Sequence, residues 1–405
     1  MKKSILQTGL ILAGVCLSTS ALAEIKLNGF ASIKAGVLFD EANDLNGDGE
    51  ISEFEPIFNN LYDKDLSFKP ESVFALQVSS DLGEGLSFTA QLYAEGRNDF
   101  DIEARWAYLS YDLSDEWRVN VGRMVLPMFY KSEFEKVGYT VNGNRLPRSV
   151  YGDFNYSVVE GVRLNNSTEL GDWTVNSSFG YYSWDGSFEA EGVDYKASFD
   201  HIISASTEFT YDWLTLFAGG FITEVDLSVF DEEFLSPRVL GAAQLYGVSP
   251  SVAAELKDAV KLSGDGQYYY LGFGVDYNDW LITAEYADYG IKDSGDTVNQ
   301  SYYVMLGKRI DEFTIIYTYE NYKDPRDHSQ VEEFTGTANV IGKSIIDQLL
   351  TNNYITQTLS LRYDFHSNAA FKIDVFNSKV TDINTTFAEN SGSQAGMSIG
   401  VDLVF

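Results

Sequence analysis

An acidic stretch near the N-terminus has the residue pattern of a calcium-binding loop. In the twelve-residue EF-hand loop, oxygen ligands come from positions 1, 3, 5, 7, 9 and 12, and position 6 is a glycine at a sharp turn. The ligand positions are occupied here by Asp44, Asn46, Asp48, Glu50 (through its carbonyl), Ser52 and Glu55. Gly49 occupies the turn. Because this spacing wraps hard oxygens around one ion, the sequence predicts a structural calcium site.

The flanks of this loop leave a second interpretation open. An EF-hand loop lies between two helices, whereas residues 25–38 alternate like a strand and Pro56 directly follows Glu55. The second interpretation is an acidic, solvated loop. A catalytic ion is not expected, because no nucleophile and base accompany these residues.

Histidine is too scarce to suggest an active site. The three histidines, His201, His328 and His366, lie at a predicted loop–strand border, in a loop and in a turn, so they do not converge. A lipid hydrolase would need a Ser–His pair, and His201 with Ser204 is the one candidate pair. We therefore predict a protein that is not an enzyme, with a lipid hydrolase as a less favoured alternative.

The N-terminus has the features of a secretory signal peptide. Two lysines precede an apolar stretch at residues 5–17, and Ala21-Leu22-Ala23 provides a small-residue cleavage site. Residues 1–23 are the predicted signal peptide, and residues 24–405 the mature domain. Because Cys16 is lost with the signal, disulfides are not expected to stabilise the exported chain.

The composition is acidic and rich in aromatic residues. The net charge of −32 becomes −34 once the two signal-peptide lysines are removed. Nucleic acid is excluded as a partner, because binding its phosphates requires basic residues. The 26 Tyr and 27 Phe against only 7 Pro favour many strands with aromatic girdles. No run of about 18 apolar residues follows residue 24, so no membrane-spanning helix is expected.

Two-residue periodicity predicts sixteen strands. They are expected near residues 25–38, 70–81, 86–96, 101–113, 116–126, 156–168, 172–184, 201–212, 213–226, 266–278, 279–291, 300–310, 311–323, 354–365, 368–380 and 392–405. Short connections alternate with long ones, which is typical of a barrel with turns on one rim and loops on the other. The long loops are expected near 39–69, 127–155, 185–200, 227–265, 324–353 and 381–391. Loop helices are predicted from Ser249-Pro250 to about Lys261 and from Ile341 to Leu350.

The strands alternate in a way that suits lipid on one face and water on the other. In the last strand Met397, Ile399, Val401, Leu403 and Phe405 share one face, and Asp402 lies on the other. Charged residues such as Arg362 and Glu320 occur at mid-strand positions, where they are costly in lipid but not in a wet pore. The sequence thus predicts a polar interior, which sixteen strands leave wide enough for a water channel.

With these features the chain resembles the general diffusion porins of Gram-negative outer membranes. The resemblance covers the whole mature sequence and includes Gly400-x-x-Leu403-x-Phe405, which is similar to the family's assembly signal. It implies an all-β, sixteen-stranded antiparallel transmembrane β-barrel in the outer membrane, and a homotrimer. It also implies passive diffusion of small hydrophilic solutes and ions, and contact with outer-membrane lipids and lipopolysaccharide. The predicted calcium ion would pin the first extracellular loop or bridge it to that lipopolysaccharide.

The resemblance also implies which residues line the narrowest part of the pore. In the family the third long loop folds into the barrel and sets the constriction; here that loop is residues 127–155, named L3 below. The implied constriction residues are Glu133, Glu135, Arg105, Arg123 and Arg145. The family's Pro-Glu-Phe-Gly-Gly loop tip is absent, and Ser132-Glu133-Phe134-Glu135 takes its place. A substrate-specific channel for oligosaccharides or anions, and an adhesin on a barrel stem, also remain compatible with the sequence.

Overall fold

The structure, a computed structural model, is a closed barrel of sixteen antiparallel strands. It describes residues 24–39, 61–62, 64–152, 156–190, 192–292, 294–295, 298–324, 328–349, 353–382 and 393–405. The predicted signal peptide and all six predicted calcium ligands lie outside these residues. The predicted fold class is confirmed.

Each strand pairs with its neighbours in the sequence, and β1 closes the ring with β16. The strands are β1 Ile25–Leu38, β2 Val73–Gly83, β3 Leu86–Glu95, β4 Glu103–Asp112, β5 Trp117–Val125, β6 Val158–Leu170, β7 Trp173–Ala190, β8 Val193–Tyr211, β9 Leu214–Asp226, β10 Gly264–Tyr277, β11 Trp280–Lys292, β12 Asn299–Ile310, β13 Phe313–Lys323, β14 Asn353–His366, β15 Ala369–Asp382 and β16 Ser393–Val404. Closure extends to the last residue, because the backbones of Gly29 and Phe405 exchange hydrogen bonds of 2.8 and 2.9 Å. A closed sheet leaves no unpaired edge, which is what a strand-built membrane protein requires.

Apolar side chains cover the outer face of the barrel, and along β13 and β16 polar ones point inward. In β13, Phe313, Ile315 and Tyr317 are exposed, while Thr314 and Thr318 are buried. In β16 the same alternation buries Ser398, Gly400 and Asp402. The predicted assignment of the two faces is confirmed by this pattern.

Tight turns join the strands at one rim because their residues adopt the left-handed region. Asn278 and Asp279, between β10 and β11, have φ values of 49° and 64°. Positive φ at both central residues fits the right-handed twist of the flanking strands, and Asn and Asp tolerate it better than most residues. The short loops at this rim therefore fix the register of each hairpin.

The prediction of a long loop at residues 185–200 is wrong. β7 and β8 instead run on as one hairpin to Ala190 and Val193, six and eight residues beyond the predicted bounds. Its mixed polar sequence hid the alternation, and the buried rings of Trp184 and Tyr195 lie on its inner side.

Helices occur in the loops between β9 and β10 and between β13 and β14. α1 (Ser228–Phe230), a π-helical turn (Asp231–Leu235), α2 (Ser236–Leu245) and α3 (Pro250–Ala259) lie between β9 and β10, and α4 (Thr337–Leu349) lies between β13 and β14. Both predicted helices are confirmed, although α4 begins four residues early; the hydroxyl of Ser249 caps α3 by accepting from the Val252 amide. The helices share an apolar cluster that includes Phe230, Val239, Leu256 and Ile346. Within the described part of the chain, no helix is long and apolar enough to cross a membrane.

Candidate functional site

L3 leaves the end of β5 and crosses the inside of the barrel. The backbone amides of three of its residues, Tyr130, Asn144 and Ser149, donate to carboxylates on three different strands. The acceptors are Glu285 on β11 at 3.0 Å, Asp374 on β15 at 2.9 Å and Glu320 on β13 at 3.0 Å. Since these carboxylates are inward-facing and buried, L3 is attached to walls on several sides of the lumen.

Cations on the inner wall bind the carbonyl groups of the same loop. The Lys372 ammonium donates to the carbonyls of Gly138 (2.6 Å) and Val141 (2.5 Å). The Arg362 guanidinium donates to those of Tyr139 (2.8 Å) and Val141 (3.1 Å). Gly138 and Tyr139 belong to the 3-10 turn Gly138–Thr140, and Val141 directly follows it.

The inner face of β14, β15, β16 and β1 is therefore a charged wall. Its members are Arg362, Lys372, Asp374, Ser398, Asp402, Ser32 and Lys34, all of them buried. Lys372 and Asp402 form an ion pair of 2.7 Å with both side chains 0% exposed. Buried charges are tolerated only when paired and hydrogen-bonded, and L3 supplies the remaining partners of Lys372.

The backbone of Gly138 packs closely against this wall. A Cβ atom at residue 138 would lie 2.0 Å from Oδ1 of Asp402 and 2.5 Å from Oγ of Ser32. A side chain of any size would therefore overlap the wall, so the residue must be glycine for L3 to take this path.

Arg145 anchors L3 to the segment before β2. Its Nε and Nη2 atoms donate to the two carboxylate oxygens of Glu71 at 2.8 and 2.6 Å, and the Tyr62 hydroxyl also donates to Glu71 at 2.5 Å. Burial alone would raise the pKa of Glu71, but the Arg145 guanidinium holds that pKa well below its usual range. The same pairing raises the pKa of Arg145 despite its burial.

This contact predicts a specific pH dependence. A glutamate in the unfolded chain has a pKa of about 4.3. Because the pKa of Glu71 is lower in the folded protein, its ionised form stabilises the fold fully above that pH. This stabilisation is lost as the pH falls through the folded pKa. Glu71→Gln should lower the free energy of unfolding by about 1.5–3 kcal/mol at pH 7, the range for hydrogen bonds to charged groups. Denaturant midpoints of both proteins should begin to converge below about pH 4; a constant difference at every pH would contradict the assignment.

The beginning of L3 packs against an aromatic wall. This wall is the inner face of β7 to β11 and includes Tyr182, Trp184, Phe217, Phe221, Tyr268 and Tyr270. The ring of Tyr130 stacks on Phe217 with centroids 3.9 Å apart, and Phe129 meets Tyr268 edge-on at 5.1 Å. L3 is thus held by apolar packing at one end and by charges at its tip.

A charged gap remains between L3 and the inner face of β3 to β5. It appears as a cavity of about 410 Å³ lined by Glu95, Arg105, Glu135 and Lys136 among others. Arg105 is the bulged residue of β4, because the β3–β4 register shifts around it. It is 4% exposed and lies over the Tyr93 ring, 5.5 Å from its centroid.

The structure brings some of the predicted constriction residues to this gap and not others. Arg105, Arg123 and Glu135 line it, whereas Arg145 pairs with Glu71. Glu133 forms an ion pair with Arg163 of β6 and lines a separate cavity of about 560 Å³. Of the contacts just described, the Glu133–Arg163 ion pair is the one that joins a predicted acidic loop residue to a basic residue of the wall. Arg163 was not among the predicted constriction residues.

Arg123 borders the gap, although its side chain starts from the outer face of β5. Strand alternation puts it on the side of Val121, whose side chain is 49% exposed on the outer face. Its guanidinium pairs with Glu160 on β6 and donates to the Ala104 carbonyl at 2.7 Å, beside the bulge. Arg123 therefore reaches the edge of the gap without contacting L3 through any of these bonds.

The one Ser–His pair that would suit a hydrolase is not assembled. His201 is exposed on the outer face, where its Nδ1 lies 2.7 Å from the Tyr181 hydroxyl. Ser204 points inward and is 3% exposed. The two side chains lie on opposite faces of β8, so they cannot act together.

Comparison with known proteins shows the fold. No protein-family model and no curated protein matches the chain. Among solved structures, an anion-selective porin from Comamonas acidovorans is similar over 95% of this chain and 100% of its own, with 14% identity and a TM-score of 0.57. The outer membrane channel DcaP of Acinetobacter baumannii covers 95% and 97%, with 13% identity and a TM-score of 0.55.

A third structure extends the comparison to another porin-like barrel. OmpF of Salmonella typhi, in complex with daunomycin, covers 95% of this chain and 98% of its own, at 10% identity and a TM-score of 0.54. The fold is that of the porins. At these identities the similarity concerns the path of the backbone, so the chemistry of the lumen has to be argued from this chain's own residues.

Proposed function

We propose that this protein is an outer-membrane porin, a water-filled channel through which small hydrophilic solutes and ions diffuse passively. The observation that supports this most is L3, which is fixed across the lumen of a closed barrel and leaves a charged gap beside it. Such a gap selects solutes by size and by the field of its charges. The apolar outer face gives the barrel its place in the membrane, and the net charge of the chain favours cations.

Liposome swelling tests the proposal. Vesicles containing the protein should swell in isotonic sugars at rates that fall smoothly as the sugar becomes larger. Vesicles that swell no faster than protein-free ones would show that no diffusion channel is present. One sugar entering out of size order would favour the substrate-specific channel instead.

A substrate-specific channel for anions is the second candidate, and Arg105 favours it. The Nη2 atom of this buried guanidinium makes no hydrogen bond within the described part of the chain. A buried cation with an unused donor attracts anions, because its charge is poorly screened. The Comamonas porin is described as anion-selective, and Arg105 offers a basis for the same preference here.

Arg105→Gln should therefore shift ion selectivity toward cations. An ion passing about 4 Å from a charge near a protein surface interacts with it by about 4 kcal/mol, against about 1 kcal/mol in bulk water. The reversal potential in a salt gradient measures this shift. Lys308→Gln is the control, because Lys308 lies on the outer face of β12 at the turn rim, where its ammonium donates to the Asn278 carbonyl at 2.9 Å. Equal shifts in both variants would refute a special role for Arg105.

We also propose a homotrimer and a calcium-bound first loop. OmpT of Vibrio cholerae, similar over 95% of this chain with 11% identity and a TM-score of 0.51, is known in a trimer form.

Calcium is supported by the sequence pattern at Asp44 to Glu55 alone, and its proposed role is to pin the loop or to bridge it to lipopolysaccharide. Chelation should increase protease cleavage between residues 44 and 55; unchanged cleavage would contradict the calcium site.

A further inference from the structure

A second cavity lies against the aromatic wall, inside the barrel. It has a volume of about 320 Å³ and is lined by inward-facing residues of β7 to β11. Leu227 and Leu262, which flank the helical loop between β9 and β10, form another part of its boundary. It shares Trp184 with the charged gap, so the two spaces adjoin.

The aromatic rings of this cavity are fixed by contacts with one another. Phe221, Tyr268 and Tyr289 stack across three neighbouring strands, with centroids 5.4 and 5.0 Å apart and planes within 11° and 7°. Phe199 meets Trp184 edge-on with centroids 5.4 Å apart, and it packs against Tyr156 at 4.4 Å with the two planes tilted by 37°. Because neighbouring rings restrict each other, the wall is preformed and loses little side-chain entropy when a solute binds.

The chemistry of the lining indicates which solutes fit. Among the residues that the structure describes, none that lines the cavity is charged, and the polar side chains that face it are Thr223 and tyrosines. A charged solute would lose its hydration here without gaining a partner from them. Small-molecule sites typically have this form, a cavity of about 300–1,000 Å³ with aromatic walls and a few polar groups. An apolar cavity of about 150 Å³ already admits benzene.

We propose that this cavity binds neutral solutes carrying a single aromatic ring as they pass through the channel. The proposal rests on the channel function above and specifies a class of solute for it. An apolar patch is unusual in the polar lumen of a membrane barrel. Here it lies beside the charged gap, so a bound ring is held next to the narrow part of the path.

Binding and conduction can be measured separately. Calorimetry with the folded protein in detergent should detect phenyl β-D-glucoside, with methyl β-D-glucoside binding at least about tenfold more weakly. In a planar bilayer in potassium chloride, phenyl β-D-glucoside should interrupt the current. Equal affinity for both glucosides would make the sugar the ligand and overturn the proposal.

Two variants test the location of the site. Phe199→Ala removes a ring and should weaken phenyl β-D-glucoside binding about three- to tenfold, the ratio that one lost aromatic contact gives. Ala197→Leu fills part of the cavity and should weaken binding by a similar factor because the solute ring has less space. Phe209→Ala, on the outer face of the same strand, should leave binding unchanged. If both inner variants conduct potassium chloride and bind as tightly as the parent, the site is elsewhere. Conduction without any binding refutes this proposal alone, and binding without conduction refutes the channel.

Discussion

Replacing Lys372 with methionine is expected to detach L3 from the charged wall. The ammonium of Lys372 binds two L3 carbonyls and the Asp402 carboxylate, and it is fully buried. Methionine fills similar space but leaves Asp402 without its ion-pair partner. Breaking a buried pair on one side costs about 3–5 kcal/mol. We expect noisier, larger single-channel currents and a lower denaturant midpoint.

The control for this variant lies on the same strand. Lys379→Met removes the same charge from an exposed, outward-facing position of β15, so current and midpoint should stay close to those of the parent. If Lys372→Met behaves like Lys379→Met, then the wall does not hold L3 through this lysine.

A side chain at Gly138 is expected to have a related effect for a steric reason. Gly138→Val would place its Cβ within 2.0 Å of Asp402 Oδ1, so either L3 or the wall must move. Overpacking of this kind costs about 1–3 kcal/mol. The free energy of unfolding should fall by that amount, and Gly241→Val, at a position with nothing within 4 Å of the added atom, separates the clash from the general cost of valine.

Combining the two substitutions tests whether they act through one contact. Once Gly138→Val has displaced L3, the carbonyl of residue 138 no longer meets Lys372, so Lys372→Met should cost less than it does in the parent. Neighbouring residues that share partners typically show coupling of about 0.5–3 kcal/mol. Strictly additive losses would mean that Gly138 and Lys372 stabilise separate parts of the protein.

The barrel was predictable because each strand has one face toward lipid and the other toward the lumen. Lipid outside and a polar lumen inside impose a period of two on each strand, so the predicted 25–38 coincides with β1 and 213–226 lies within one residue of β9. The rule fails at the ends of β7 and β8, where acidic and small residues obscure the period of two and the sequence predicts a loop.

The path of L3 was predictable only in outline. Mid-strand charges such as Arg362 and Glu320 indicated a polar interior, but not that they bind backbone atoms of a loop more than 170 residues away in the sequence. Loop carbonyls and amides have no residue signature, so nothing in the sequence pairs Lys372 with Gly138. The prediction placed the charges of L3 against wall arginines, whereas much of its attachment is through its backbone.

The positions of single residues of the aromatic wall could be predicted from the sequence, but their packing into one surface could not. The alternation along β10 puts Tyr268 and Tyr270 on the same face, and both rings are buried on the lumen side. The stacking of Tyr268 with Phe221 and Tyr289 depends on the register between β9, β10 and β11. Register across a long helical loop cannot be derived from local periodicity.

Single-channel conductance in a planar bilayer tests the central claim most directly, that L3 narrows an open, water-filled barrel. The purified protein should give discrete ohmic steps in potassium chloride, and Lys372→Met should increase their size or noise while Lys379→Met does not. Conductance steps whose size and noise are unchanged by Lys372→Met, or the absence of steps from a correctly folded barrel, would contradict the account.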